Sequence, residues 1–213
     1  MIQILSDGRY ALFLLILTAL VLSLCLHEFG HALAAKLYGD DTAQKAGRLT
    51  LNPIRHIDPM GLMMVVLVGF GYAKPVPTDP RNFKSRSGDV VVSAAGPAMN
   101  LLLAAASINF YLLGLQWGYD ALQEPGPRFF FIYLAQINLI LMVFNLIPLG
   151  ALDGHYILPY FLPEKPALWY RYYNARYGNL VLLGLVVLSI MGLPIFEHVL
   201  SISERLLPLI IFV

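Results

Sequence analysis

Residues 10–26, 90–119, 129–152 and 177–196 contain no Asp, Glu, Lys or Arg. Each run is near or above the roughly 17 to 25 apolar residues that cross a hydrocarbon core. Such runs take lipid as their solvent, where a backbone must satisfy its own amides, so the expected fold is an all-α polytopic membrane protein with about four transmembrane helices. The apolar fraction of 58% and charged fraction of 13% fit that reading, against about 45 to 50% and 25% in soluble domains. The 213 residues suit a single domain. Its helices are expected at about 10–38, 88–116, 128–148 and 177–197. A signal peptide is the other reading of the first run. The length of the run, Asp7 and Arg9 before it and the lack of a small-residue cleavage site favour a span.

Residues 60–73 are uncharged but shorter, rich in Val and Gly, and followed by Lys74-Pro75-Val76-Pro77. They read as a re-entrant or small β element, which implies a protein-lined or wet cavity nearby. Residues 202–213, broken by Pro208, form a short interfacial or packing segment. Loop charges set the orientation. Lys36, Lys45, Arg48 and Arg55, then Lys74, Arg81, Lys84 and Arg86, then Lys165, Arg171 and Arg176 mark three loops as cytoplasmic, whereas residues 116–128 carry only Arg128 with Asp120 and Glu124. The chain is therefore expected in the cell membrane as a multi-pass protein with its N-terminus external. A net charge of +1 offers no field for nucleic acid. The single Cys25 excludes an intrachain disulfide and any all-thiolate metal site, so a bound metal must use His, Asp or Glu.

His27-Glu28-Phe29-Gly30-His31 places an H-E-x-x-H in the first membrane helix. Residues four apart share a helix face, so both imidazoles can reach one zinc while Glu28 handles the proton of a water. Ionisable side chains inside a span are costly and mark function by default; the plainer reading is a hydrogen-bonded face against a wet bundle interior. Catalytic zinc keeps three protein ligands and an open position. His56, His155, His198 and Asp153 are candidates for the third. Asp153 follows a helix break at Pro148 and Gly150 and precedes Gly154, a placement that also suits a plain helix N-cap.

Together these residues resemble the site-2 protease family (peptidase M50) of intramembrane zinc metalloproteases. Beside the H-E-x-x-H, the chain has the family's N-x-x-P-x-x-x-L-D-G as Asn145, Pro148, Leu152, Asp153 and Gly154, and its G-x-x-x-N as Gly96 to Asn100. The resemblance covers residues from about 20 to 155 and implies one zinc per chain held by His27, His31 and Asp153, with Glu28 as catalytic base. It suggests Asn145 and Asn100 as cleft or oxyanion groups, although interhelical hydrogen bonding is an equally ordinary role for a membrane asparagine. With no room before residue 10 for another span and no loop long enough for a PDZ or CBS insert, the chain is expected to be a compact, core-only member.

The implied activity is hydrolysis of peptide bonds in or near the transmembrane segments of a membrane-protein substrate, at a site opening toward the cytoplasm. A helical substrate must unwind before its carbonyl is reached. Residues 46–51 and 63–72 have the composition of a strand edge that would hold the unwound chain, with Val65, Leu67, Gly69 and Gly71 as its alternate positions. With no regulatory domain in sight, substrate shape or a separate regulatory protein is expected to control access. The oligomeric state is open. Two other classes compete: a membrane zinc-binding or transport protein, which would not need Glu28, and a catalytically inactive scaffold of the same family.

Overall fold

The computed structural model describes residues 1–68, 71–85 and 87–213, the side chain of Val68 excepted. Among them, ordered structure is helical throughout. The six principal helices are α1 (Tyr10–Leu37), α2 (Pro59–Val68), α3 (Gly88–Gln116), α4 (Pro125–Asn145), α5 (Glu164–Ile190) and α6 (Glu197–Leu206). Helices α1, α3, α4 and α5 are long and apolar enough to cross a membrane.

The first span runs unbroken through the H-E-x-x-H and stops where expected. Gly39 takes φ +100°, and the Gly39 and Asp40 amides turn back to the carbonyls of Lys36 and Ala35, closing the helix as a glycine-ended cap does. Helix α4 starts at Pro125, whose missing N–H costs nothing in a first turn. The fourth span departs from the expected 177–197. It begins at Glu164, passes through Lys165, Arg171 and Arg176, contains a π-helical turn at Asn174–Gly178, and ends at Ile190. It ends early because Gly192 takes φ +98° and directs its N–H to Ser189, with Pro194 just beyond.

Among the described residues there is no strand, the expected re-entrant or small β element is not supported, and residues 59–68 form helix α2 instead. Asp58 accepts the Gly61 amide on Oδ1 and Pro59 occupies the first turn, so a capped helix start outweighs the β preference of the valines. The glycines serve close approach. A Cβ on Gly61 would collide with the Tyr72 carbonyl, and one on Gly71 with the Gly61 carbonyl. The chain returning from α2 thus packs directly on the helix start. Val65 is buried on α2 and Leu67 is exposed, Gly71 lies on the returning segment, and Gly69 falls outside the described residues. Residues 46–51 form turns, not a strand.

Helices α1, α3 and α4 pack against one another pairwise. The buried residues of α1 apart from His27 and Glu28 are Ala19, Ser23, Cys25, Gly30, Ala32, Ala34 and Ala35. Small residues of this kind let helix backbones approach where no hydrophobic drive exists between apolar surfaces in lipid. The opposite half of the bundle is filled by Ala104, Ile108, Tyr111, Ala135, Leu139 and Met142, with Ile210 closing it from the C-terminal segment. Asn109 anchors that segment by donating to the Ile210 carbonyl and accepting the Phe212 amide. Residues 202–213 are a packing segment, as the sequence suggests.

Candidate metal centre

His27 and His31, one turn apart on α1, face the seam between α1 and α3. There, a side chain at position 96 would fill the space that the rings occupy: a Cβ on Gly96 would collide with His31 Nε2 and lie 2.6 Å from His27 Cε1. The glycine of the G-x-x-x-N pattern is therefore what admits the two imidazoles. Their Nε2 atoms lie 3.0 Å apart, and each sits 3.3 Å from an oxygen of Asp153. The three side chains retain 8%, 12% and 15% of their surface. One donor atom from each lies within 4.8 Å of the others.

The outer nitrogens decide what this cluster can hold. His27 Nδ1 is 2.6 Å from Asn100 Oδ1, and His31 Nδ1 is 2.7 Å from the Val92 carbonyl oxygen. Both oxygens only accept, so each Nδ1 carries the ring proton and each Nε2 presents a lone pair inward. Asp153 Oδ2 is buried and has no hydrogen-bond donor. Two imidazole lone pairs and an unsatisfied carboxylate, converging with outer nitrogens tied to oxygens, form the donor set that zinc takes. The residues fit the ion.

A loop folded back on itself delivers Asp153. Gly150 adopts φ +61°, and the Asn174 side chain spans it, donating to its carbonyl at 2.9 Å and accepting its amide at 2.8 Å. Tyr170 donates to the Pro148 carbonyl. A Cβ at Gly154 would collide with the Leu146 carbonyl, so the L-D-G glycine is a packing requirement. Asp153 precedes the short helix Gly154–Ile157 without a side-chain capping bond. Its carboxylate is directed at the histidines instead.

Glu28 is buried beside the cluster, and its Oε2 accepts the Val76 amide at 3.0 Å. Arg48, 5% exposed, lies 4.0 Å from the same oxygen and donates to the carbonyls of Lys74 and Pro75. Burial pushes the Arg48 guanidinium below its ordinary pKa, while the Glu28 charge opposes that shift. The Lys74-Pro75-Val76 segment is thus strapped across the H-E-x-x-H helix with one amide aimed at Glu28. Composition marked the segment as a boundary. Nothing in the sequence linked it, or Arg48, to Glu28.

Other singled-out residues have other partners. Asn145 donates to the Leu141 carbonyl one turn back on its own helix. His56 is buried and contacts the Thr50 carbonyl through Nε2, while His155 packs between Tyr156 and Tyr170. Burial, with Arg171 nearby, pushes the His155 pKa down. His198 is exposed. Ser23 and Asn138, which the motifs did not indicate, are fully buried next to Asn100. Polar residues inside apolar runs were the available signal.

Comparison with known proteins gives the family. The family model described as Peptidase family M50 matches residues 15–123 and 112–190. YwhC of Bacillus subtilis, named as a candidate zinc metalloprotease, is 44% identical over 174 residues, which cover 79% of this chain and 78% of YwhC. Rip2 of Mycolicibacterium smegmatis, similarly named, is 35% identical over 161 residues, and Rip2 of Mycobacterium tuberculosis is 36% identical over 163. Each match covers 71% of this chain and 59% of the relative. No solved structure matches the chain. On the strength of the family match across its spans and of these relatives, the chain belongs to peptidase family M50, the site-2 protease family of membrane zinc metalloproteases.

Proposed function

We propose that this protein is an intramembrane metalloendopeptidase in which His27, His31 and Asp153 hold one zinc ion and Glu28 is the catalytic base. The observation that carries the assignment is the convergence of two lone-pair-bearing Nε2 atoms and an unsatisfied buried carboxylate, with Glu28 next in sequence to His27. Zinc bound there supplies Lewis acidity, polarising a carbonyl and acidifying water. The chain supplies the rest. The Val76 amide orients the Glu28 carboxylate through Oε2, and the free oxygen takes a proton from water as its oxygen bonds to the peptide carbonyl carbon. Glu28 then returns that proton to the departing nitrogen as the C–N bond breaks. A dedicated carboxylate beside the first histidine favours hydrolysis over zinc transport, for which it has no use.

The substrate in this reading is a membrane protein whose transmembrane segment unwinds locally to expose a carbonyl. The basic loops around residues 36–58, 72–89 and 162–176 support a centre opening toward the cytoplasm. The test is zinc content and cleavage of a transmembrane substrate for wild type, His31→Ala, Asp153→Ala and Glu28→Gln in detergent. About one zinc in wild type, lost in the first two variants and kept in an inactive Glu28→Gln, is the expected pattern. Cleavage loss in Glu28→Gln should be about 10² to 10⁴-fold. Full zinc in Asp153→Ala would remove Asp153 from the set, and full cleavage by Glu28→Gln would remove Glu28 as the catalytic base.

A further inference from the structure

We propose that Asn138, on α4, is a positioning residue for the metal centre: acting through Asn100, it determines which nitrogen of His27 carries the proton. The inference rests on the ligand role proposed above for His27.

The argument is one of hydrogen-bond polarity. Asn138 Nδ2 lies 2.7 Å from the Leu134 carbonyl, which can only accept, so the amide nitrogen must face that way. Asn138 Oδ1 is thereby turned toward Asn100, 2.7 Å from Asn100 Nδ2. The same nitrogen of Asn100 is 3.4 Å from a second obligate acceptor, the Ser23 carbonyl. Asn100 Oδ1 then has one direction left, toward His27 Nδ1 at 2.6 Å. Ser23 completes the chain, accepting from Asn138 Nδ2 at 2.8 Å and donating to the Ala19 carbonyl at 2.7 Å. All three side chains are fully buried, where a reversed amide would set like polar groups against each other.

The two histidines explain why such a chain is needed. His31 Nδ1 faces the Val92 carbonyl, a backbone oxygen that cannot exchange places with a donor. His27 Nδ1 faces a side-chain amide that could turn over and present nitrogen. A turned Asn100 would favour the tautomer with hydrogen on His27 Nε2, which has no lone pair for a metal. Asn138 blocks that turn because it can donate to Leu134 and Ser23 while accepting from Asn100. Leucine has a similar shape and can do neither.

The test reads the tautomer and the metal separately. In metal-free protein labelled with 15N-histidine, at a pH where the ring is neutral, the two-bond 15N–1H pattern of His27, assigned by its loss in His27→Gln, should show the Nδ1–H form alone. Asn138→Leu should show both forms and bind zinc about tenfold more weakly in chelator competition, with the helical circular-dichroism spectrum kept. Asn100→Asp in the Asn138→Leu background should restore the single tautomer and zinc affinity, since a carboxylate offers oxygen whichever way it turns. If Asn138→Leu folds with an unmixed tautomer and unchanged zinc affinity, the proposal is overturned. If it fails to fold and Asn100→Asp does not rescue it, Asn138 is structural and the proposal is equally overturned. A wild type that binds no zinc yet shows the tautomer shift between variants would sink the ligand assignment and leave the relay standing.

Discussion

Asp40 and Asp153 are both largely withdrawn from solvent and lie in the connections that follow α1 and α4, yet the protein treats them differently. Asp40 is fully buried and receives the Thr42 amide at 3.0 Å, the Thr42 hydroxyl, the Asp79 amide at 2.7 Å and the Asn82 side-chain amide at 3.0 Å. Asp153 has an oxygen with no donor and faces imidazole nitrogens whose lone pairs point at it. Burial of a charge is costly, and a carboxylate satisfied on all sides has recovered that cost within the fold. One left facing lone pairs has not, and only a cation or proton completes it. Incomplete satisfaction, not burial, separates the candidate site from the structural knot.

Four substitutions break or sharpen this comparison. The largest effect is expected from Asp153→Asn, which removes the charge but keeps the shape: apparent zinc affinity should fall more than a hundredfold, beyond the roughly 10 to 100-fold typical of a lost outer partner. Next is Gly96→Ala, whose methyl competes with both imidazoles; zinc affinity should fall by at least about tenfold while helix content holds. Retained affinity would mean that the rings can be bound elsewhere. Asp40→Asn should do the opposite, leaving zinc stoichiometry unchanged and costing about 2 kcal/mol of stability through mismatched donors, read as a lower melting temperature in detergent.

Asp40 also carries a pH signature. Burial pushes its carboxyl upward, but the hydrogen bonds from Thr42, Asp79 and Asn82 outweigh burial and hold its pKa at about 2. A folded-state pKa below the unfolded value means that the contribution is complete above about pH 4 and fades as pH falls toward 2. Wild type should lose stability across that window, and Asp40→Asn should lose less. The smallest effect is expected from Tyr170→Phe, which deletes one bond to the Pro148 carbonyl at the rim of the Asp153 loop; about 1 kcal/mol or less of stability and a few-fold of zinc affinity is the expected loss.

Much of this site is legible along the chain because its parts are local. Two histidines four apart share a helix face whatever the helix packs against, and a Pro and Gly break before Asp153 frees a carboxylate whatever its destination. The apolar cores of the long spans declare themselves through length and absence of charge, although the charged start of α5 at Glu164 does not. Where the reading went astray, at residues 59–68, short-range signals conflict: valines favour a strand, but Asp58 and Pro59 start a helix, and Gly61 and Gly71 are demanded by the close return of the chain. Local composition does not reveal that a glycine answers to a neighbour ten residues away. The same limit hid Arg48, Val76, Ser23 and Asn138: the first two reach Glu28 from loops, and the last two meet Asn100 across packed helices.

The sequence by itself therefore determined that this is a multi-pass membrane protein built on four long apolar helices, and which side chains are chemically able to bind zinc and move a proton. Those properties follow from hydropathy, helical period and side-chain chemistry, all set within a few residues. The tertiary structure alone decided that Asp153 meets His27 and His31, that the Lys74–Val76 segment reaches Glu28, and that α3 and α4 supply the oxygens and amides orienting His27. The polarity of a hydrogen-bond chain depends on which donors and acceptors meet in space, and only packing brings residues 23, 100 and 138 together.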